Sequence, residues 1–575
     1  MALPIVSVPM KRRKQKPSLA LTLSATGLLI VGGGVAYRLL NQGHLFSQNL
    51  LVGANIIPDD ALFAVSLTTD TQQWQKLQQF GTKASQAELQ KNLLQLRDRF
   101  LTSNGYNFEQ DIKPWVDEKI TFAILAPEPN QTTKPVATDN TQQSVVMVLP
   151  VKNQEMAQKV LAQPKSLKTG QWIDRTYQGI TIKQTQGQVG TKLSATLLDG
   201  RFLVITDNPQ ATERAINAYK NKTSLATVGG FADNFPKISE NQPFAQFYVN
   251  VPTAAKIATT APNRRLPAQV LTQLQNNQGL AGTITLEAEG IRLKGISWLK
   301  PQSQRLLSLD STSEDMQERM PAETLMMLSG SNLQRLWGDY VLTSQGNPLS
   351  PVSPDQLRSS VKSLTNLDME RDLLSWMKGE FAVSLIPNTP KNNTSGDFRA
   401  GLVFMVKVSD RKLAESSLQR LDDVIKTQYQ FQIQPGTVAG QPVVNWIGPF
   451  GTLTASHGWL DNDVAFLVLG APVTDKIVPK PSKTLASNLS YQQTVATQTN
   501  STNGQFFIDV ERMVNNFTLN TLFPKQKTFL EATRSIGVTT AVSDSHSTRY
   551  DIFLSLKKAS ESNALNNSTT NPNIK

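Results

Sequence analysis

Short apolar or alternating runs bounded by turn residues recur along the chain, and this pattern predicts β-strands. Residues 194–198 (SATLL) and 202–206 (FLVIT) are two such runs, and Asp199 and Gly200 lie between them. An Asp-Gly pair between strands indicates a tight hairpin, because a type I′ turn needs positive φ at both central positions. Amphipathic runs after Asn208-Pro209 and Ser409-Asp410 predict helices, because these residue types cap and start them. The predicted fold class is α+β, with largely antiparallel sheets and helices packed on them.

The second half of the chain repeats the order of motifs in the first. Residues 58–67 (PDDALFAVSL) resemble residues 321–329 (PAETLMMLS), and residues 202–206 resemble residues 466–470 (FLVLG). Corresponding motifs lie 259–264 residues apart throughout. This period is too long for a solenoid, so the sequence predicts two similar modules that arose by duplication.

Residues 18–40 predict a single transmembrane helix. No charged residue occurs from Ser18 to Tyr37, a stretch whose helical length matches the bilayer core of about 30 Å. We favour an uncleaved anchor over a cleaved signal peptide, because the run exceeds about 15 residues and no A-x-A site follows. The predicted anchor side chains are Leu19, Leu21, Leu23, Leu28, Leu29, Ile30, Val31, Val35 and Tyr37. The basic residues that keep the N-terminus cytoplasmic are Lys11, Arg12, Arg13, Lys14 and Lys16.

These features divide the chain into seven predicted regions. They are a basic cytoplasmic tail (1–17), the transmembrane helix (18–40), a linker (41–55), a first α+β module (56–300), a second linker (301–318), a second α+β module (319–558) and a disordered tail (559–575).

Composition excludes several kinds of chemistry. The chain has no cysteine, which removes disulfides, thiolate metal sites and cysteine nucleophiles. The three histidines, His44, His457 and His546, do not have metal-ligand spacing. Part of the net charge of +12 comes from the basic cluster before the predicted helix, and the rest is spread out. We therefore predict a protein that is not an enzyme, with no catalytic, cofactor-binding or metal residues and no cofactor.

The layout resembles a family of cyanobacterial single-pass membrane-anchored proteins that carry a domain of unknown function. The resemblance rests on the basic tail with its apolar segment, on residues 57–67 (IPDDALFAVSL), on residues 121–125 (TFAIL) and on residues 202–206 (FLVIT). It implies that the main domain lies in the periplasm or the thylakoid lumen. It implies no activity and no functional residues.

The expected function is that of a membrane-tethered extracytoplasmic scaffold or accessory protein that binds envelope or thylakoid proteins. Its expected partners are the lipid bilayer, through one helix, and a protein of unknown identity; nucleic acid is not expected. Two alternatives stay open. One is a carrier or sensor of a lipid or other apolar small-molecule ligand, and the other is an unrecognised periplasmic hydrolase.

Overall fold

A computed structural model describes the fold of most of the chain after residue 49. The described residues are 50–100, 105–127, 143–165, 170–187, 192–260, 277–301, 303, 316–344, 353–388, 399–449, 451–495, 503–517 and 526–559. The predicted basic tail, the span at residues 18–40 and their anchor and topology residues lie outside these ranges, as does nearly all of the predicted disordered tail. None of the described helices is both long and apolar enough to cross a bilayer.

Twenty strands of the described residues form one sheet. The strands are β1 (Ala61–Thr68), β2 (Lys119–Leu125), β3 (Val145–Pro150), β4 (Gln171–Tyr177), β5 (Ile180–Gln186), β6 (Ser194–Leu198), β7 (Phe202–Thr206), β8 (Ala245–Val249), β9 (Asn277–Leu286), β10 (Gly290–Leu299), β11 (Met326–Gly330), β12 (Phe381–Pro387), β13 (Ala400–Lys407), β14 (Gln432–Val438), β15 (Gln441–Ile447), β16 (Leu453–Leu460), β17 (Val464–Gly470), β18 (Gly504–Asp509), β19 (Thr533–Asp544) and β20 (Ser547–Leu556).

Helices are inserted between these strands at similar points in the two halves. They are α1 (Thr71–Leu77), α2 (Lys83–Phe100), α3 (Gln154–Ala162), α4 (Pro209–Asn221), α5 (Phe231–Asn234), α6 (Val251–Thr260), α7 (Leu333–Ser344), α8 (Pro354–Thr365), α9 (Arg411–Gln428), α10 (Leu489–Thr494), α11 (Val510–Asn516) and α12 (Lys527–Ala532). A π-helical turn precedes β2 at Phe108–Ile112, and another precedes β12 at Met369–Leu374.

The pairings run outward from the centre of the sheet in the same order in both halves, and all are antiparallel. From one edge to the other, the strands follow the order β4-β5-β6-β7-β3-β2-β1-β8-β9-β10-β20-β19-β18-β11-β12-β13-β17-β16-β15-β14. Each strand of the first half thus has a counterpart at the same distance from the centre in the second half.

The prediction of a transmembrane helix followed by two modules with separate sheets is wrong for the part of the chain that the structure describes. The sheet is continuous because β10 pairs with β20, residues 290–298 against residues 547–555. Backbone N–H and C=O groups that would form an exposed edge on each module are satisfied by the other module. The predicted antiparallel pairing and the predicted helices are present, but the two halves share one sheet.

Side chains from both halves also meet at this β10–β20 junction. One apolar cluster combines Phe63 and Phe247 of the first half with Val538 and Ile552 of the second. Ion pairs cross the junction as well: Arg292 Nη1 lies 2.7 Å from Asp551 Oδ1, and Lys237 Nζ lies 2.9 Å from Asp544 Oδ2 (a third joins Lys558 to Glu289). Burial of shared apolar surface makes the junction part of the core.

The hairpin turn and the helix caps form at the positions that the sequence predicts. Asp199 and Gly200 have φ values of 49° and 68°, which confirms the tight hairpin between β6 and β7. Asn208 caps α4, where its side chain accepts a hydrogen bond from Gln210 N at 3.0 Å. In the second half Asp410, not Ser409, caps α9, and its carboxylate accepts from Leu413 N at 3.0 Å.

Asp544 makes the stability of the junction dependent on pH. Burial alone would raise its pKa, but hydrogen bonds from Ser547, Lys237 and the backbone N–H of His546 outweigh burial and lower the pKa to about 2. A carboxyl group with a lower pKa in the folded chain than its unfolded value of about 3.9 stabilises the fold above that value. This contribution is lost as the pH falls toward 2.

We therefore expect Asp544→Asn to lower the urea midpoint of unfolding at pH 7, and to lower it by only about half as much at pH 3, which lies between the folded and unfolded pKa values. The control is Asp233→Asn, which changes an exposed aspartate in α5. Equal losses for Asp544→Asn at both pH values would contradict the assignment.

Candidate functional site

One face of the sheet carries a row of polar side chains through the centre of the molecule, which we name the polar row. Its members lie directly opposite one another on eight neighbouring strands, so they share one face. They are Ser66, Gln246, Thr283, Lys294, Asp551, Thr539, Gln505 and Ser329. The row is symmetric about the junction: serine, glutamine and threonine occur in the same order on each side of the Lys294–Asp551 pair.

Most of the polar row lies inside the protein. Ser66 Oγ, Gln246 Oε1 and Thr283 Oγ1 are buried and have no hydrogen-bond partner among the described residues. On the other side of the junction, Ser329 Oγ and Thr539 Oγ1 are also buried without a hydrogen-bond partner among the described residues. An unpaired buried polar atom costs about 1–3 kcal/mol, so the row reduces the stability of the sheet that contains it.

An aromatic pair beside the polar row differs between the halves only in which ring carries the hydroxyl. Phe231 and Tyr248 pack edge to face in the first half with centroids 5.1 Å apart. Tyr491 and Phe507 do the same in the second half at 5.4 Å. Tyr491 OH donates to Gln505 Oε1 at 2.6 Å. Tyr248 OH is buried without a partner in the described residues. The buried tyrosine hydroxyl therefore has a hydrogen-bond partner in the second half but not in the first.

Lys119 is a buried amine at the start of β2. Its side chain is 5% exposed, and its Nζ has no hydrogen-bond partner in the described part of the chain. Burial lowers the pKa of Lys119 to about 8. The position 261 residues later, the same spacing as from Trp115 to Trp376, holds Glu380. Glu380 Oε1 accepts a hydrogen bond from Met316 N at 3.2 Å. At this equivalent position the first half has a basic residue and the second half an acidic one.

A histidine–aspartate pair forms where α9 packs on the sheet. His457 Nε2 lies 2.8 Å from Asp422 Oδ1, and Trp446 Nε1 donates to the same oxygen at 2.7 Å. Ser456 is next in the chain, but successive strand residues point to opposite faces, and its hydroxyl donates to Asn445 Oδ1 at 2.7 Å. The contacts of His457 thus join helix to sheet and contain no serine nucleophile. Within the described ranges, no three His, Asp or Glu side chains lie close enough together to hold a metal ion.

The opposite face of the sheet is apolar, and in the second half part of it is exposed. We name this part the open apolar face and define it by Val383, Leu385, Leu402, Phe404, Leu467 and Leu469. These side chains form two parallel rows across β12, β13 and β17. Leu402 is 39% exposed and Leu469 is 37% exposed, while the other four are half-buried. The inner row continues to the half-buried Leu328 and Phe506.

In the first half, part of the equivalent inner row is buried, whereas the counterparts of Leu385, Leu402 and Leu467, which are Ile124, Val145 and Ile205, are half-buried. Val65, Phe122, Met147 and Phe247 occupy the places of Leu328, Val383, Phe404 and Phe506 in the same pairing pattern, and each is at most 9% exposed. Across the described residues, seven of the nine exposed large apolar side chains belong to the second half. The halves share a strand order but differ in how much apolar surface they leave in water.

The position of Leu469 shows this difference most clearly. The hairpin turns place Leu198 opposite Phe202 and Leu460 opposite Val464, which makes Asp207 the first-half equivalent of Leu469. Asp207 Oδ1 accepts a hydrogen bond from Val145 N at 2.9 Å. A polar residue that ends the strand in one half is thus replaced by a solvent-exposed leucine in the other.

None of the residues assigned a role from the sequence takes part in these features, because the anchor and topology residues lie outside the described ranges. The open apolar face could not be found from the sequence. Apolar strand residues occur in both halves, and only the packing of helices decides which of them stay exposed.

The chain belongs to a family described as a protein of unknown function (DUF3352), which matches residues 21–556. No curated protein matches the chain. Among solved structures it is similar to crystal form III of TP0453, with 8% identity and a TM-score of 0.22 over 44% of this chain and 80% of that chain. Crystal form IV gives 10% identity and a TM-score of 0.23 over 43% and 81% of the two chains. At these TM-scores the likeness carries no argument about fold or function.

Removing a hydroxyl from the second-half aromatic pair and adding one to the first-half pair should have opposite effects on the free energy of unfolding. Tyr491→Phe should lower the free energy of unfolding by roughly 1–3 kcal/mol, because Gln505 Oε1 loses its donor inside the protein. Phe231→Tyr should raise it by about 1 kcal/mol by supplying the equivalent donor to Gln246. Urea unfolding followed by tryptophan fluorescence measures both. Loss of stability in both variants would show that Gln246 does not face Phe231 as Gln505 faces Tyr491.

Replacing the buried amine of Lys119 by an apolar side chain should increase the stability of the fold, and the increase should depend on pH. At pH 7 the folded chain carries a buried unpaired ammonium, so Lys119→Met should raise the free energy of unfolding by roughly 1–3 kcal/mol. The folded pKa of about 8 lies below the model value of 10.5, so the unmodified protein gains stability from pH 8 to pH 10.5. The advantage of the variant should disappear over that window.

Lys183→Met is the control for Lys119→Met, because Lys183 Nζ pairs with Asp174 at 2.6 Å and should not give a gain. A gain from Lys119→Met that stays constant up to pH 11 would contradict the lowered pKa.

Proposed function

We propose that this protein is a non-enzymatic accessory protein that works on the extracytoplasmic side of a membrane, in the periplasm or thylakoid lumen of a cyanobacterium, and binds another protein there. The observation that carries the proposal is the open apolar face. Leu402 and Leu469 are exposed beside half-buried apolar side chains whose inner-row counterparts Phe122 and Met147 are buried, and a contiguous exposed apolar patch is typical of a protein–protein contact. The membrane location is supported by the basic cluster and the long uncharged apolar stretch among the first 40 residues.

A carrier of a lipid or other apolar ligand is the second candidate, because the same leucines could contact an acyl chain. The protein partner is favoured by shape. Small-ligand sites are concave and bury most of the ligand. The open apolar face is instead a strip in which Leu402 and Leu469 are more than a third exposed.

Native mass spectrometry of the full-length protein, gently extracted from its own membrane, tests the proposal. We expect a complex whose additional mass matches a second polypeptide. Added mass that matches only lipid or pigment would replace the proposal by the carrier. A protein that is bare under all mild conditions would overturn both, and assays of the purified protein on peptidoglycan, peptide and ester substrates would then examine the hydrolase alternative.

A further inference from the structure

We infer that the first half binds a small carboxylate anion between the ammonium group of Lys119, the hydroxyl of Ser66 and the backbone N–H of Gly53. The inference does not depend on the proposed function, because these groups lie on the face that carries the polar row and not on the open apolar face. It follows from the placing of the three groups, from the burial of an unpaired charge, and from the group that occupies the same place in the second half.

The sheet register brings Lys119 and Ser66 together on this face. Lys119 lies opposite Thr68, and Ser66 lies opposite Thr121, so Lys119 and Ser66 are diagonal neighbours on β2 and β1. Diagonal neighbours of an antiparallel pair lie about 7–8 Å apart, a distance that a long side chain can span. Lys119 is 5% exposed and Ser66 is 1% exposed, and Nζ of the one and Oγ of the other have no hydrogen-bond partner among the described residues. Two buried donors therefore lie side by side without an acceptor.

The chain at Gly53 crosses the sheet next to these two side chains. Thr121, two residues after Lys119 and on the same face, donates its hydroxyl proton to Val52 O. Gly53 has a φ of 75°, and a Cβ at this position would lie 2.7 Å from Cγ1 of Val148, which faces Thr121 from β3. Only glycine allows the backbone to approach the sheet so closely. The peptide groups around Gly53 thus lie directly beside Lys119.

The second half shows which chemical group fits this place. Glu380 is the counterpart of Lys119, and its Oε1 accepts a hydrogen bond from Met316 N at 3.2 Å. Met316 is the counterpart of Gly53, because the same turn hydrogen bond, from the N–H three residues later, reaches the carbonyl oxygen of each. A carboxylate therefore lies beside this backbone N–H in the second half. In the first half the residue that would supply it is replaced by a lysine.

The charge of Lys119 makes an anion, and not a neutral molecule, the matching ligand. Burial lowers the pKa of Lys119 to about 8, so at pH 7 most molecules still carry the ammonium. Glu118, the preceding residue, acts on this ammonium electrostatically but is exposed and does not pair with it. A buried charge without a counter-ion is costly, and an anion that accepts charge-assisted hydrogen bonds removes much of that cost.

The test uses the full-length protein in nanodiscs, with formate as the probe because formate is the smallest carboxylate. Thermal unfolding at pH 7 is followed by tryptophan fluorescence in sodium formate and in sodium chloride of equal ionic strength. A ligand that binds the folded chain alone raises the unfolding temperature with its concentration, and this dependence gives the dissociation constant. The NMR signal of isotope-labelled formate, shifted or broadened by the protein, measures binding independently of stability. We expect formate to stabilise the protein more than chloride does.

We expect Lys119→Met to weaken formate binding at least tenfold, and its gain in stability should shrink as formate is added. Lys183→Met, which removes an amine that pairs with Asp174, is the matched control and should bind formate normally. Lys119→Glu places the second-half residue at this position, so it should fold but should not respond to formate. Since the free amine has a pKa of about 8, raising the pH to 10 should weaken binding to the unmodified protein at least tenfold.

Three results would overturn the inference: equal stabilisation by formate and chloride, formate binding by Lys119→Glu as tight as that of the unmodified protein, or binding that does not weaken at pH 10. The first would show a general salt effect, and the other two would show that formate binds elsewhere. None of these results bears on a polypeptide partner, so the inference and the proposed function are tested separately.

Discussion

The pairing of β10 with β20 is the interaction on which the rest of the structure depends. It joins the edge of one half to the edge of the other over nine residue pairs, and it makes a single sheet of 20 strands from a repeated sequence. Both faces of the sheet become continuous at this point. One face carries the polar row, with Lys294 opposite Asp551 at its centre, and the other carries the apolar cluster that contains Phe247 and Ile552.

The two halves share an architecture but differ in their side chains at matching positions. The hydroxyl of the aromatic pair is on Tyr248 in the first half and on Tyr491 in the second. Buried Lys119 has buried Glu380 as its counterpart, and Asp207 has exposed Leu469. A duplicated module keeps its backbone pairing because every strand inside the sheet needs both neighbours to satisfy its backbone N–H and C=O groups. Its surface is free to change, so function is expected where the halves differ. The exposure of Leu402 and Leu469 is one such difference in the described residues.

Sequence patterns anticipated the local elements well. The hairpin at Asp199 and Gly200, the start of α4 after Asn208 and the antiparallel pairing all depend on neighbouring residues, so a local pattern is enough to predict them. The residue-by-residue alignment of the two halves was predicted less accurately. Sequence similarity aligns Phe202 with Phe466, whereas the hairpin turns make Val464 the counterpart of Phe202. Apolar strand residues resemble one another, and only hydrogen-bond register distinguishes a shift of two positions.

By itself the sequence determined the α+β character, the turn and cap positions and the existence of a repeat, because these follow from residue types and spacing along the chain. Only the tertiary structure decided that the halves share one sheet, that serine, glutamine and threonine align into a buried polar row, and that Leu402 and Leu469 remain exposed. Each of these depends on which distant strands pair and on where the helices pack. Contacts between residues more than 200 positions apart, such as Arg292 with Asp551, leave no local pattern in the chain.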